Sequence, residues 1–250
     1  MSDVLLVDEP APGVRRLTFN RPDQLNALSR ELVTELVAQL RRVNLDSDVR
    51  VVVLRGNGRA FCAGADLTEH FNREDAMDVG RTAIWDLLET LRVPVVAAVH
   101  GWAITGGFLL AYCCDIVVAS EDALFRDTHA SLGLMPTGGE SQRMPRRLGA
   151  GLARELMLTS RKFPAAEALT AGFVSRVVPR DQLDDAALEI AQQIAANSPE
   201  SVSAIKALIN RGMETDFGTG LRLEAINNRF GVANNEPNAE REARLRALRG

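Results

Sequence analysis

Pro94-Val95-Val96-Ala97-Ala98-Val99 runs straight into His100-Gly101-Trp102-Ala103-Ile104-Thr105-Gly106-Gly107-Phe108, and this junction decides the fold. An uncharged, valine-rich run bounded by glycines reads as a strand buried on two faces, and the glycines mark the turn towards a helix starting near Gly106. Val49 to Leu54 repeats the arrangement and ends at Gly56-Asn57-Gly58. Asp115 to Ala119 is a third buried run, and Ala123 to Phe125 adds a short strand at which the sheet is expected to finish. Strand, helix, strand, helix, strand in that order implies right-handed crossovers and a largely parallel sheet, with ligands beyond the carboxyl ends of the strands.

Working outward, Val4 to Val7 and Val14 to Phe19 predict a hairpin-like opening, broken by Pro10, Pro12 and Gly13. From Ser29, the positions Leu32, Val33, Leu36, Val37, Leu40 and Val43 follow the helical period, with Ser29 as N-cap and Glu31 in the first turn. Beyond the sheet the chain predicts helices near 140–148, 151–158, 165–171, 181–197, 199–212 and 217–235, with a strand at 174–178 between them. Ser198-Pro199 supplies an N-cap followed by proline at the first helical position. The tail from Glu236 to Gly250 is expected to be a surface or partner-facing helix.

The 250 residues, 46% hydrophobic and 25% charged, exclude disorder and allow one sizeable core. A net charge of -4 gives no bulk attraction to nucleic acid or anionic lipid, so neither partner is expected. The richest apolar stretch, Val93 to Val118, is interrupted by Pro94, His100 and Asp115 and predicts core rather than a membrane span. Cys62, Cys113 and Cys114 are an odd set without an export signal, so a reducing cytoplasm is expected and a disulfide scaffold is not.

Two glycine-rich loops, Gly56 to Leu67 and Gly101 to Phe108, each follow a buried strand. Small residues let a ligand approach the main chain, and a loop entering a helix leaves N–H groups aimed at negative charge. Side by side, the two loops could present a pair of donors to an oxyanion; each alone could equally be a tight turn. No dinucleotide fingerprint, phosphate loop or nucleophile elbow is present, and His70, His100 and His129 fall in no zinc-binding pattern, so no metal is expected.

Arg21-Pro22-Asp23-Gln24-Leu25-Asn26-Ala27-Leu28, Phe61-Cys62-Ala63-Gly64-Ala65-Asp66-Leu67, Thr105-Gly106-Gly107 before Cys114-Asp115, and Gly133-Leu134-Met135-Pro136 leading to Gln142-Arg143 closely resemble the crotonase, or enoyl-CoA hydratase/isomerase, superfamily, from about residue 4 to about residue 230. The resemblance implies an α/β fold, a spiral of ββα units with a C-terminal helical trimerisation region. It divides the chain into an acyl-CoA-binding core, 1–180, and an oligomerisation region, 181–250, in a homotrimer or dimer of trimers. It implies an acyl-CoA thioester as substrate and no permanently bound cofactor, coenzyme A arriving as part of the thioester. The thioester oxygen would lie between the N–H groups of Ala65 and Gly106. Gln24, Leu25, Ala63, Gly64, Ala65, Asp66, Leu67 and Gly106 would grip the coenzyme, and Arg59 could meet its phosphates or be a solvated arginine.

The two glutamates that hydratases of this family use fall here on Leu109 and His129. Ordinary hydration is therefore not expected, and Leu109 implies a dry, apolar pocket wall. His129, two residues from Asp127, is a candidate acid/base or a structural loop histidine. Glu140 is a candidate replacement carboxylate, or a first-turn acid complementing its helix dipole. Cys62 and Asp66 are read as structural, Trp85 as core, and Arg244 and Arg246 as possible coenzyme contacts. The chain is thus expected to process a thioester through an enolate, with Ala65, Gly106, His129 and Glu140 as the catalytic set. The alternative is a non-catalytic acyl-CoA binding protein; a peptidase finds no Ser-His-Asp spacing to support it.

Overall fold

The computed structural model describes residues 3–70, 79–230, 242, 245 and 246. Its elements are β1 (Leu5–Ala11), β2 (Val14–Phe19), α1 (Arg30–Leu45), β3 (Val51–Gly56), β4 (Ala60–Cys62), α2 (Leu67–His70), α3 (Val79–Thr90), β5 (Val95–Val99), β6 (Trp102–Ile104), α4 (Gly106–Cys113), β7 (Ile116–Ser120), β8 (Leu124–Arg126), α5 (His129–Leu132), α6 (Glu140–Leu148), α7 (Ala150–Thr159), β9 (Phe163–Pro164), α8 (Ala165–Thr170), β10 (Arg176–Val178), α9 (Leu183–Ala195), α10 (Pro199–Gly212) and α11 (Phe217–Phe230).

Two sheets share the strands. The larger runs β1-β2-β3-β5-β7-β10, parallel throughout except for the β1–β2 hairpin, and the smaller runs β4-β6-β8-β9. Each unit sends one strand through the large sheet, turns a corner, adds a short strand to the small sheet and continues into helix; β3–β4, β5–β6 and β7–β8 are the three turns of this ββα spiral. The expectation that the sheet ends near Phe125 is corrected: β8 belongs to the small sheet and β10 extends the large one. The parts of the glycine loops at 60–62 and 102–104 are likewise strands, β4 and β6. Three-residue strands are too short to show a period of two, so the corner glycines hid them. Gly101, at φ +54, makes one such corner because a Cβ there would run into the Arg59 carbonyl.

Alternation along the strands divides the core. Val52, Leu54, Val95, Ala97, Val99 and Val117 join Leu32, Leu36 and Leu40 of α1, Leu88 of α3 and Leu110 of α4 in one cluster. Val51, Val53, Val96, Ala98 and Val118 point the other way, onto Leu183, Ala187, Ala191 and Ala195 of α9. The periodicity of α1 is realised as predicted, with Ser29 Oγ accepting from the Leu32 N–H at 3.2 Å.

The chain forms two compact units, Met1–Ala196 and Asn197–Gly250, and α9 covers the second face of the sheet within the first of them. In the second unit Ser198 caps α10, and α10 meets α11 through Ala207, Leu208 and Arg211 against Leu223, Ile226 and Asn227. The expected continuation to residue 235, and Arg244, lie outside the described residues. Among the described residues no helix is long and apolar enough to cross a membrane.

Candidate active site

The loop at 21–28 is stitched onto the loop at 63–66. Ala63 N–H donates to the Leu25 carbonyl at 3.0 Å, Leu28 N–H to the Gly64 carbonyl at 2.7 Å, and Asp66 N–H to the Leu28 carbonyl at 3.3 Å. Leu25 and Asn26 both hold positive φ, at 51° and 56°. Asn26 is fully buried: its Oδ1 accepts from Arg21 N–H at 2.8 Å, and its Nδ2 donates to the Asn57 and Ala60 carbonyls at 2.8 and 2.7 Å. Asn26 carries no pattern in the sequence that gives it a role, yet it pins this loop to β4. Asn26→Ala would strand those three groups and is expected to lower unfolding stability by about 3 kcal/mol in a denaturant titration.

Asp66 is held by Arg21 at 2.9 Å and accepts from both the N–H and hydroxyl of Thr68, and although burial opposes it, these bonds leave its carboxyl below the usual range. It braces the loop, in line with its structural reading. Cys62 is buried, and desolvation pushes its thiol up to about 12, which removes it as a nucleophile at neutral pH. Arg59 and Leu67 are exposed, and Arg59 has no hydrogen-bond partner among the described residues.

The two loops meet at their glycines. A Cβ on Gly64, which sits at φ +86, would lie 2.6 Å from the Ile104 carbonyl oxygen and 3.2 Å from the Gly106 nitrogen; one on Gly106 would lie 3.4 Å from Gly64 Cα and 3.7 Å from the Ala65 nitrogen. Gly107 packs on the Cys62 carbonyl with no room for a side chain. Among the described residues neither the Ala65 nor the Gly106 N–H has an acceptor, and both residues are partly exposed. Gly106 opens α4, so its N–H also carries the positive end of that helix.

Thr105, the residue before α4, holds φ 49° and ψ -102°, a conformation disfavoured for a β-branched residue. It is fixed from both sides: its N–H donates to the Arg126 carbonyl at 2.7 Å, and its hydroxyl lies 2.6 Å from that of Thr128. Its place immediately before the glycine pair was the only signal in the sequence. Thr105, Phe108, Leu109, Tyr112, Asp127, Glu140 and Met144 line a narrow crevice.

Leu109 is therefore a wall of the crevice, and two carboxyl groups reach it from elsewhere. Asp127 is 2% exposed, and its oxygens lie 3.0 and 3.1 Å from His129 Nδ1 and 3.0 Å from the His129 N–H. His129 opens the short helix α5 rather than lying in a loop, and Nε2 has no partner among the described residues. An acceptor on Nδ1 places the proton there in the neutral ring. The hydrogen bond to Asp127, together with the charges of Asp127 and Glu140, raises the His129 pKa against the opposing effect of burial. Glu140 is 5% exposed, and its Oε2 accepts from the Gly138 N–H at 3.0 Å. It opens α6, as the dipole reading requires, but its carboxylate is turned into the crevice rather than out to water.

The raised pKa ties His129 to stability. A group whose pKa is higher in the folded chain stabilises it fully below the unfolded value, near 6.5, and the contribution is lost as pH rises through the folded value. Asp127→Asn keeps an acceptor for the backbone N–H but removes the charge. Its stability deficit against the native chain is expected to be largest at pH 5.5 to 6.5 and to shrink above pH 7.5, measured by denaturant midpoints.

Residues 9–235 match the family described as Enoyl-CoA hydratase/isomerase. The chain belongs to the enoyl-CoA hydratase/isomerase family. It is an enzyme family in which this chain is 40% identical over 224 residues to "Probable enoyl-CoA hydratase 1, peroxisomal" of Arabidopsis thaliana, covering 89% of this chain and 84% of that one. The crystal structure of an enoyl-CoA hydratase from Bacillus anthracis superimposes with a TM-score of 0.92 at 37% identity, over 98% and 96% of the two chains. A monofunctional enoyl-CoA isomerase from Mycobacterium smegmatis aligns with a TM-score of 0.78 at 34% identity, over 88% and 98%. Family membership accounts for the spiral.

Proposed function

We propose that this chain converts an acyl-CoA thioester through an enolate, with the thioester oxygen held by the N–H groups of Ala65 and Gly106. The observation that carries this reading is the pair of unpartnered backbone donors brought together across Gly64 and Gly106, one of them at the start of α4. Charge developing on the oxygen would meet both donors and the helix dipole, which act without reorganising. The main chain at Gln24, Leu25 and 63–67 would grip the coenzyme, with Arg59, exposed on the surface, available to its phosphates.

Protons would move through His129 Nε2, with Asp127 holding Nδ1–H and stabilising the imidazolium. Glu140, at the start of α6, supplies a carboxylate to the crevice that Leu109 also lines. With leucine at 109 and Asp127 committed to His129, Glu140 is left as the crevice carboxylate available to a water among the described residues, so proton relocation along the acyl chain is favoured over hydration. The α10–α11 unit, with Ile209, Phe217 and Leu221 exposed, is assigned to subunit contacts in a trimer or dimer of trimers.

The test is incubation of the purified protein with saturated, enoyl and 3-keto acyl-CoAs, followed by mass spectrometry and NMR of the products. Conversion by double-bond migration, with at most slow water addition, is the expected result. Retention of a thioester without conversion would overturn the enzymatic reading in favour of an acyl-CoA binding protein.

A further inference from the structure

Glu140 follows two glycines, the least restrained pair of residues a chain can place before a functional carboxylate. Gly138 and Gly139 are required by their surroundings: a Cβ on Gly138 would strike Leu109 and approach Trp85 Nε1 at 2.9 Å, and one on Gly139, at φ +85, would strike the Arg143 guanidinium. Neither residue has a side chain to fix the turn, so hydrogen bonds must do so. Arg143 Nη1 donates to the Gly138 carbonyl, and the Gly138 N–H donates to Glu140 Oε2 at 3.0 Å. Arg143 is itself anchored in a fork: its Nε and Nη2 donate to the two oxygens of Glu89 on α3 at 2.7 and 2.8 Å. Its carbonyl accepts from the Tyr112 hydroxyl on α4.

We infer that Arg143 is a positioning residue: clamped by Glu89, it fixes the Gly138-Gly139 turn and thereby holds the Glu140 carboxylate in the crevice beside Leu109 and the Asp127–His129 pair. Its importance for turnover rests on the proposed enolate chemistry; its effect on Glu140 does not. Arginine is suited to the task because a planar fork can bind both oxygens of Glu89 while a third N–H reaches a carbonyl, which an ammonium group cannot reproduce at fixed geometry. The charged groups around the guanidinium are Glu89 and Asp86, both on α3, with the neutral Cys113 thiol of α4 nearby. Those acting on His129 are Asp127 and Glu140.

The experiment reads the carboxylate's position through His129, whose titration is followed by NMR in the substrate-free chain; with three histidines in all, the resonances are assigned by single substitutions. Glu140→Gln is expected to lower the His129 midpoint. Arg143→Lys keeps the charge but not the fork, and is expected to lower the midpoint at least half as far. The double variant is expected to match Glu140→Gln alone, because a clamp has no effect once the charge it places is gone. Glu89→Gln, which frees the fork without touching Arg143, is expected to repeat this dependence on Glu140 and serves if the lysine variant does not fold. A native midpoint in Arg143→Lys and Glu89→Gln, an equal shift with and without Glu140, or no response to Glu140→Gln would each overturn the inference. In turnover, Arg143→Lys is expected to cost about tenfold in kcat with KM little changed, as displacement of a reacting group does. If the native protein converts no thioester, the functional reading fails while the titrations still decide the clamp.

Discussion

Gly64→Ala is expected to reduce thioester turnover by about 10²- to 10³-fold, the scale of losing one oxyanion donor, while the protein still folds. The added methyl would sit 2.6 Å from the Ile104 carbonyl oxygen, closer than side-chain carbons come to such an atom, and a tight 3.2 Å from the Gly106 nitrogen, so the two loops must part. Ala would also be held at φ +86, a conformation costing an L-residue roughly 1–2 kcal/mol. Relief comes through movement of the 63–66 segment, and that carries the Ala65 N–H away from Gly106. Hydrogen bonds from Leu28 and Asp66 keep the segment attached to the rest of the core, which is why the expected loss of stability is modest beside the loss of rate. Steady-state kinetics on the converted thioester, with a thermal melt as control, separates the two. Turnover within threefold of native would mean that the donors lie elsewhere.

The sequence made the large sheet legible because its strands are long enough to carry a pattern: Val51 to Leu54 and Val95 to Val99 alternate between two apolar faces and admit no polar residue. The small sheet was illegible for the opposite reason. Ala60–Cys62 and Trp102–Ile104 are three residues each, flanked by the glycines that turn the chain, and nothing local separates them from a loop. The role of α9 was hidden by its composition, since alanines suit both a surface helix and one pressed closely on a sheet. At the site, the proposed main-chain donors can be named from family resemblance because position alone defines a backbone N–H. The proposed acids cannot, because they depend on side-chain direction. Glu140 reads as a helix-capping acid until its carboxylate is found in the crevice, and Asp127 reads as an accessory to His129 although it is Asp127 that lines the wall. Arg143 was visible only as part of a matching motif; its fork to Glu89 joins residues 54 positions apart, which no local pattern can show.

His129→Ala is expected to lower kcat by about 10²- to 10⁴-fold, the range for removing a positioned acid/base, with acyl-CoA binding retained. The expectation follows from the division of labour in the ring. Nδ1 is committed to Asp127, so only Nε2 can exchange a proton with a substrate, and the raised pKa keeps a larger share of imidazolium available at neutral pH than a free histidine would have. A proton donor of this kind leaves a signature in the pH profile: kcat/KM should fall as pH rises through an apparent pKa above 6.5. Asp127→Asn removes the main cause of that elevation, so its falling limb should move to lower pH, and the same displacement should appear in the NMR titration of His129. Glu140→Gln should move it the same way by a smaller amount, since the direct hydrogen bond is the leading contribution to the shift and Glu140 acts only through space. If His129→Ala retained native kcat, the acid/base role would pass to Glu140, the carboxylate that lines the crevice beside Asp127, since burial raises the pKa of the Tyr112 phenol that also lines it. Glu140→Gln would then abolish turnover rather than merely shift its pH dependence, so the two variants together assign the proton to one group or the other.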